Sequence, residues 1–82
     1  MEVLIRADGR VESLPERTEP WELEELQKLV GGQIAVIEGG GGKVLVVNEE
    51  GLWLGLPINR VVSEGTGRPL VGDAVLTDRR WL

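Results

Sequence analysis

Two apolar runs, Gln33-Ile-Ala-Val-Ile-Glu38 and Lys43-Val-Leu-Val-Val-Asn48, are separated only by Gly39 to Gly42, and together they constrain this chain more than any other feature. β-Branched residues dominate both runs, and neither alternates polar with apolar. Strands of that kind are covered on both faces, so the pair predicts a central hairpin with other layers packed against it. The cover has to come from a chain of 82 residues. A domain near that size buries only about 60% of the surface its unfolded chain exposes, so self-association is expected to supplement the core.

The flanking segments supply the candidate cover. Glu2 to Arg6 is rich in strand formers, and Asp8-Gly9 is a favoured hairpin turn before Arg10-Val-Glu-Ser-Leu14, which predicts a first hairpin. Pro15 to Pro20 breaks the pattern. A helix is predicted from there to Val30, with Thr18 or Glu19 as its cap, Pro20 in its first turn and Gly31-Gly32 as its stop. At 100° per residue Leu23, Leu26, Leu29 and Val30 share an arc of about 120°, and Glu24 precedes Lys28 by one turn. Asn48-Glu-Glu-Gly51 has the residue types of a tight turn leading to a short strand around Leu52 to Leu54, where Trp53 would sit on a sheet face. Gly55 to Arg60 reads as a loop or single helical turn, and Gly65-Thr-Gly-Arg-Pro69 as a loop before a last strand at Ala74 to Thr77. The expected fold is α+β, a single domain over residues 1–82 with one helix packed on a mainly antiparallel sheet of about five strands.

Composition removes several kinds of chemistry. There is no Cys and no His, so disulfides, thiolate or imidazole metal sites and the usual general base and nucleophile are missing. No catalytic residue, metal ligand or cofactor is assigned. A formal net charge of −5 opposes binding along duplex nucleic acid or an anionic membrane. No run approaches the ~20 apolar residues of a membrane span, and Met1 leads directly into Glu2-Val-Leu-Ile-Arg6 without the pattern of a secretory signal, which predicts a cytoplasmic protein.

The glycines before Lys43 do not form a phosphate-binding loop, because the positions requiring Gly and Ser or Thr hold Ile37 and Val44. Asn48, Glu49 and Glu50 are ordinary turn residues that also have the chemistry to hydrogen-bond a ligand. Asn59-Arg60 follows Leu56-Pro57-Ile58 and sets an amide beside a guanidinium fork. Two readings are open: Arg60 clamps an anionic group, or it pairs with Glu49 or Glu50 and pins the loop to the turn. Trp21, if helical, would lie opposite the apolar arc. It would then fold back over the helix entrance, join a subunit interface or stack on a planar ligand. Trp81 beside Arg79-Arg80 suits a cation–π contact or a frayed end.

Asn48-Glu-Glu-Gly51 and Leu56-Pro-Ile-Asn-Arg60 together resemble the signature of a small family of unknown function found in phages and other mobile elements, over roughly residues 20 to 78. The resemblance implies an accessory protein of a mobile element, acting by stoichiometric binding in the host cytoplasm. Joined to the residues above, it gives the leading expectation: a non-enzymatic binder of a small anionic, nucleotide-type signal of host defence, using Asn48, Glu49, Trp53, Asn59, Arg60 and Arg68. The alternative is a protein-interaction module that inhibits or redirects a host enzyme through its Trp-bearing surface.

Overall fold

The computed structural model describes all 82 residues, and its central hairpin is the one the apolar runs require. β3 (Ile34–Gly40) and β4 (Lys43–Asn48) pair antiparallel, with Gly41 and Gly42 both at positive φ in the two-residue connection. That is the backbone twist a tight hairpin needs. β1 (Val3–Ile5) and β2 (Val11–Ser13) form the expected first hairpin, and β5 (Ala74–Asp78) inserts between β1 and β4. The result is one open antiparallel sheet in the order β2-β1-β5-β4-β3.

Both faces of this sheet are covered, by two helices rather than one. α1 (Leu23–Val30) lays Leu26 and Val30 on Leu4, Val46 and Val75, with Trp21, Leu29 and Ile34 at the margin. α2 (Arg60–Thr66) lies on the opposite face, where Val62 and Leu70 join Val3, Ile5, Leu45, Val47 and Ala74. Successive residues of β1, β4 and β5 thus feed opposite cores, which is why those strands carry no polar alternation. Burial at roughly 25 cal/mol per Å² of apolar surface on both sides lets this small sheet hold two cores instead of one.

Several expectations change. The helix α2 starts where the predicted loop or single turn of Gly55 to Arg60 ends, and it takes in Gly65 and Thr66 of the loop predicted before Pro69. β3 is an edge strand, not a central one, and Val36 is exposed. Leu52 to Leu54 form no strand: the segment from Glu50 to Leu56 is a closed turn, in which Leu54 N–H donates to Glu50 C=O and Leu56 N–H to Gly51 C=O. Without a neighbouring strand, an apolar triplet has no ladder to join. α1 starts later than predicted. Glu22 rather than Thr18 or Glu19 is its flanking residue, its N–H accepted by the Glu25 carboxylate, and Gly31 closes the helix with φ of 81°.

The later start also moves Trp21 off the helix. Its indole Nε1 donates to Thr77 Oγ1 at 2.9 Å, its amide donates to Trp81 C=O, and Arg17 stacks over its ring at 3.9 Å. Of the three outcomes open for Trp21, the structure shows it folded back onto its own chain, through a hydrogen bond to β5 together with packing on the core beside α1. Trp81 lies in a final 3-10 turn (Arg79–Trp81), with Arg80 over its ring at 4.6 Å.

Candidate functional site

The segment from Asn48 to Gly72 contains every predicted site residue, so its local chemistry decides what can act as a site. It starts at Asn48. The Nδ2 amide donates to Val30 C=O at 3.1 Å, satisfying a carbonyl at the C-terminal end of α1, and Oδ1 accepts from Glu50 N–H at 2.8 Å. Gly51 N–H donates to Asn48 C=O, completing the predicted turn. Only Gly fits at position 51, because a Cβ there would lie 2.6 Å from Val71 Cγ2.

The far end of the loop is held by Asn59, whose residue is fully buried. Nδ2 donates to Ile5 C=O at 3.0 Å and to Gly72 C=O at 2.9 Å, and Oδ1 accepts from Val62 N–H to cap α2. Backbone bonds from Asn59 N–H to Leu70 C=O and from Gly72 N–H to Pro57 C=O flank this arrangement, as does the Ile58–Val71 bridge. The Ser63 hydroxyl bonds both the N–H and the C=O of Leu70. Asn48 and Asn59 therefore tie helix ends and strands together, and their amides are turned to the interior rather than to a ligand.

The other four predicted residues are exposed, and they do not converge on one place. Glu49 and Arg68 line a cleft of about 220 Å³ together with Ala35, Leu52 and Leu70. Asn48 borders the same cleft. Arg60, at the start of α2, lies outside it and forms no ion pair, so neither Glu49 nor Glu50 is its partner. A cation at the N-terminal end of a helix meets the positive end of the dipole, so Arg60 gains nothing for folding from its position. Trp53 is 90% exposed at the tip of the closed turn, between Leu52 at 78% and Leu54 at 54%. An apolar triplet this exposed, on a turn closed by its own hydrogen bonds, differs from the singly scattered apolar residues of an ordinary surface.

The largest depression lies elsewhere, and the sequence reading had not assigned it. A cleft of about 480 Å³ runs along α1 between Leu14, Trp21, Leu29 and the charged groups of Arg17, Glu25 and Lys28. Arg17 is already engaged: it stacks on Trp21, reaches both Glu25 oxygens and donates to the carbonyls of Glu19 and Pro20. The spacing Arg17, Trp21, Glu25 was the available signal. Burial opposes ionisation of Glu2, yet hydrogen bonds from Asp78 N–H and the Thr77 hydroxyl outweigh it and hold the carboxyl below its ordinary value. Glu2 lines none of these clefts, and it serves as the buried end of a chain running Trp21 to Thr77 to Glu2.

No group of three or more acidic, Cys or His side chains is disposed to hold a metal ion. No helix is long and apolar enough to cross a membrane. Comparison with curated proteins and with solved structures gives no match. Residues 1–80 match the family described as Domain of unknown function (DUF3846), a span that takes in the first hairpin as well as the signature segment, and the chain belongs to that family.

Proposed function

We propose that this chain is a non-enzymatic interaction module that engages a protein partner through the Leu52-Trp53-Leu54 turn, with Arg68, which shares a cleft with Leu52, as a flanking polar anchor. The observation that carries the reading is the exposure of Trp53 on a turn whose two ends are fixed by Asn48 and Asn59. A large aromatic group held in place before binding loses little freedom on association, and Trp and Arg are the residues in which binding energy concentrates. The lack of His and Cys, and the structural engagement of the one buried carboxylate, support binding over catalysis.

The nucleotide-type signal draws less support. Its expected amides face inward, Arg60 and Arg68 do not share a cleft, and the cleft at Arg68 also carries a carboxylate. At about 220 Å³ it is smaller than the roughly 300–1,000 Å³ of a typical small-molecule site. A mobile-element origin, which the resemblance implies, makes a host enzyme the first partner to seek.

Native mass spectrometry after affinity purification from producing cells tests the reading. The expected result is a protein retained in stoichiometric amount by the wild type and lost by Trp53→Ala, with the melting temperature unchanged. A small-molecule adduct in place of a protein, or a partner retained by Trp53→Ala, overturns it.

A further inference from the structure

The two edges of the sheet are built differently. β2 spans only three residues and carries Glu12 beside Arg10, the short charged edge that discourages pairing. β3 spans seven residues, contains neither Lys nor Pro, and leaves Val36 about half exposed.

The direction of its free backbone groups follows from the register. Arg79 N–H donates to Gly42 C=O, and Gly42 and Arg79 continue the register in which Val44 faces Thr77 and Val46 faces Val75. Bonded pairs alternate along an antiparallel ladder, so Val44 and Val46 direct their groups to β5 and Leu45 and Val47 direct theirs to β3. Their partners Ile37 and Ala35 are thereby consumed. The bond from Glu49 N–H to Gln33 C=O gives the same phase from the other end of the strand. Ile34, Val36 and Glu38 are left with N–H and C=O pointing away from the sheet.

We propose that β3 pairs antiparallel with β3 of a second copy of this chain about a two-fold axis at Val36, joining two five-stranded sheets into one. In that register Val36 faces its own copy and Ile34 faces Glu38 of the copy, each facing pair exchanging two backbone bonds. Charge selects this axis. Moving it to Glu38 would set two carboxylates against each other, whereas at Val36 each Glu38 lies opposite an Ile and keeps its ion pair with Arg79 of its own chain. Pairing also covers the exposed Val36 side chains and brings Ile37 of the copy beside Ala35, a wall of the cleft at Leu52 and Arg68.

Sedimentation equilibrium of the wild type and Val36→Pro tests the interface, over a dilution series from about 100 μM to about 1 μM. Proline removes only the outward N–H, which β4 does not use, so the variant is expected to keep its circular dichroism and sediment at 9.0 kDa. The wild type is expected at twice that mass at the upper concentrations. Should the proline variant fail to fold, Val36→Lys places two ammonium groups at the axis and should likewise reduce the mass twofold. In a chain without native Cys, Val36→Cys is expected to form a disulfide-linked dimer on mild oxidation, and Val11→Cys on the β2 edge to remain monomeric. A wild type at 9.0 kDa throughout, or a folded Val36→Lys that stays dimeric, overturns the proposal.

Discussion

Replacing Asn59 by Ala should be among the most damaging single changes in this chain, although Asn is a residue usually tolerated at surfaces. Three bonds are lost at once. The cap on Val62 N–H contributes about 1 kcal/mol by itself. The carbonyls of Ile5 and Gly72 lose their donor inside a fully buried site, and each stranded group costs about 1–3 kcal/mol, the lower figure applying where water can enter the space left behind. The sum is about 3–7 kcal/mol. Domains of this size have total stabilities of about 5–15 kcal/mol, and a loss of 1 kcal/mol lowers the melting temperature by about 4–8 °C. The melting temperature followed by far-ultraviolet circular dichroism should therefore drop by about 12 °C or more. Asn59→Asp separates the cap from the donors. It keeps an acceptor for Val62 but offers no hydrogen to the two carbonyls when ionised, so at neutral pH it should be at least as unstable as the Ala variant. The carbonyls would raise the folded pKa of that carboxyl above its unfolded value. The folded state then binds the extra proton, and the Asp variant should gain on the Ala variant as pH falls. A loss of less than about 5 °C for Asn59→Ala, on that same scale, would refute the structural role and return Asn59 to the ligand-binding one.

The remaining expectations concern packing and charge. Gly51→Ala should cost about 1–3 kcal/mol because its Cβ would meet Val71 at 2.6 Å, whereas Gly65→Ala, in α2 with open space around it, should stabilise by about 0.5–1 kcal/mol; denaturant midpoints give both signs. Leu26→Ala should cost about 2–4 kcal/mol and Glu24→Ala almost nothing, and equal losses in thermal unfolding would show that the wrong face of α1 had been placed on the core. Glu2 has a folded pKa below its ordinary 4.5, so its contribution is present above that pH and is lost as pH falls through the folded value; the stability gap between the wild type and Glu2→Gln should close in acid, and a gap independent of pH would contradict the assignment.

Local chemistry was readable where one residue type decides the outcome. Asp8-Gly9 marked the first hairpin, Gly31 the end of α1, and Asn48 to Gly51 a turn, each because few residues suit those positions. α2 was not readable. Arg60-Val-Val-Ser-Glu-Gly-Thr66 combines β-branched residues and glycine, a poor intrinsic helix, and buries only Val62. It is held by Asn59 at one end, by Gly67 in the left-handed conformation at the other, and by the contact of Val62 with the sheet. Only the last of these is tertiary; Asn59 and Gly67 are local start and stop signals, and the stretch between them is too poor a helix to be read without the contact of Val62. Strand order escaped for a related reason: the insertion of β5 between β1 and β4 joins segments far apart in sequence. That insertion makes β4 central and β3 an edge, although the two runs have similar composition.

The same limit governs the site. Asn, Glu and Gly are the residues of tight turns and also the residues of polar ligand sites, so the signature clusters could be read either way from composition. Geometry divides them. Asn48 secures the end of α1, Asn59 secures the start of α2 and the end of β1, and the chain between them closes into a turn that carries Leu52, Trp53 and Leu54 outward. Buried amides of this kind have fixed partners, and changing them alters stability before it alters recognition. The exposed groups have the opposite property: Trp53, Arg60 and Arg68 support no part of the fold through an ion pair or a buried contact. Substitution should thus sort the segment into two sets, the two Asn with Gly51 acting through melting temperature and the exposed residues through binding at constant stability. The two buried amides fix where the turn stands, and the exposed triplet is free of that duty.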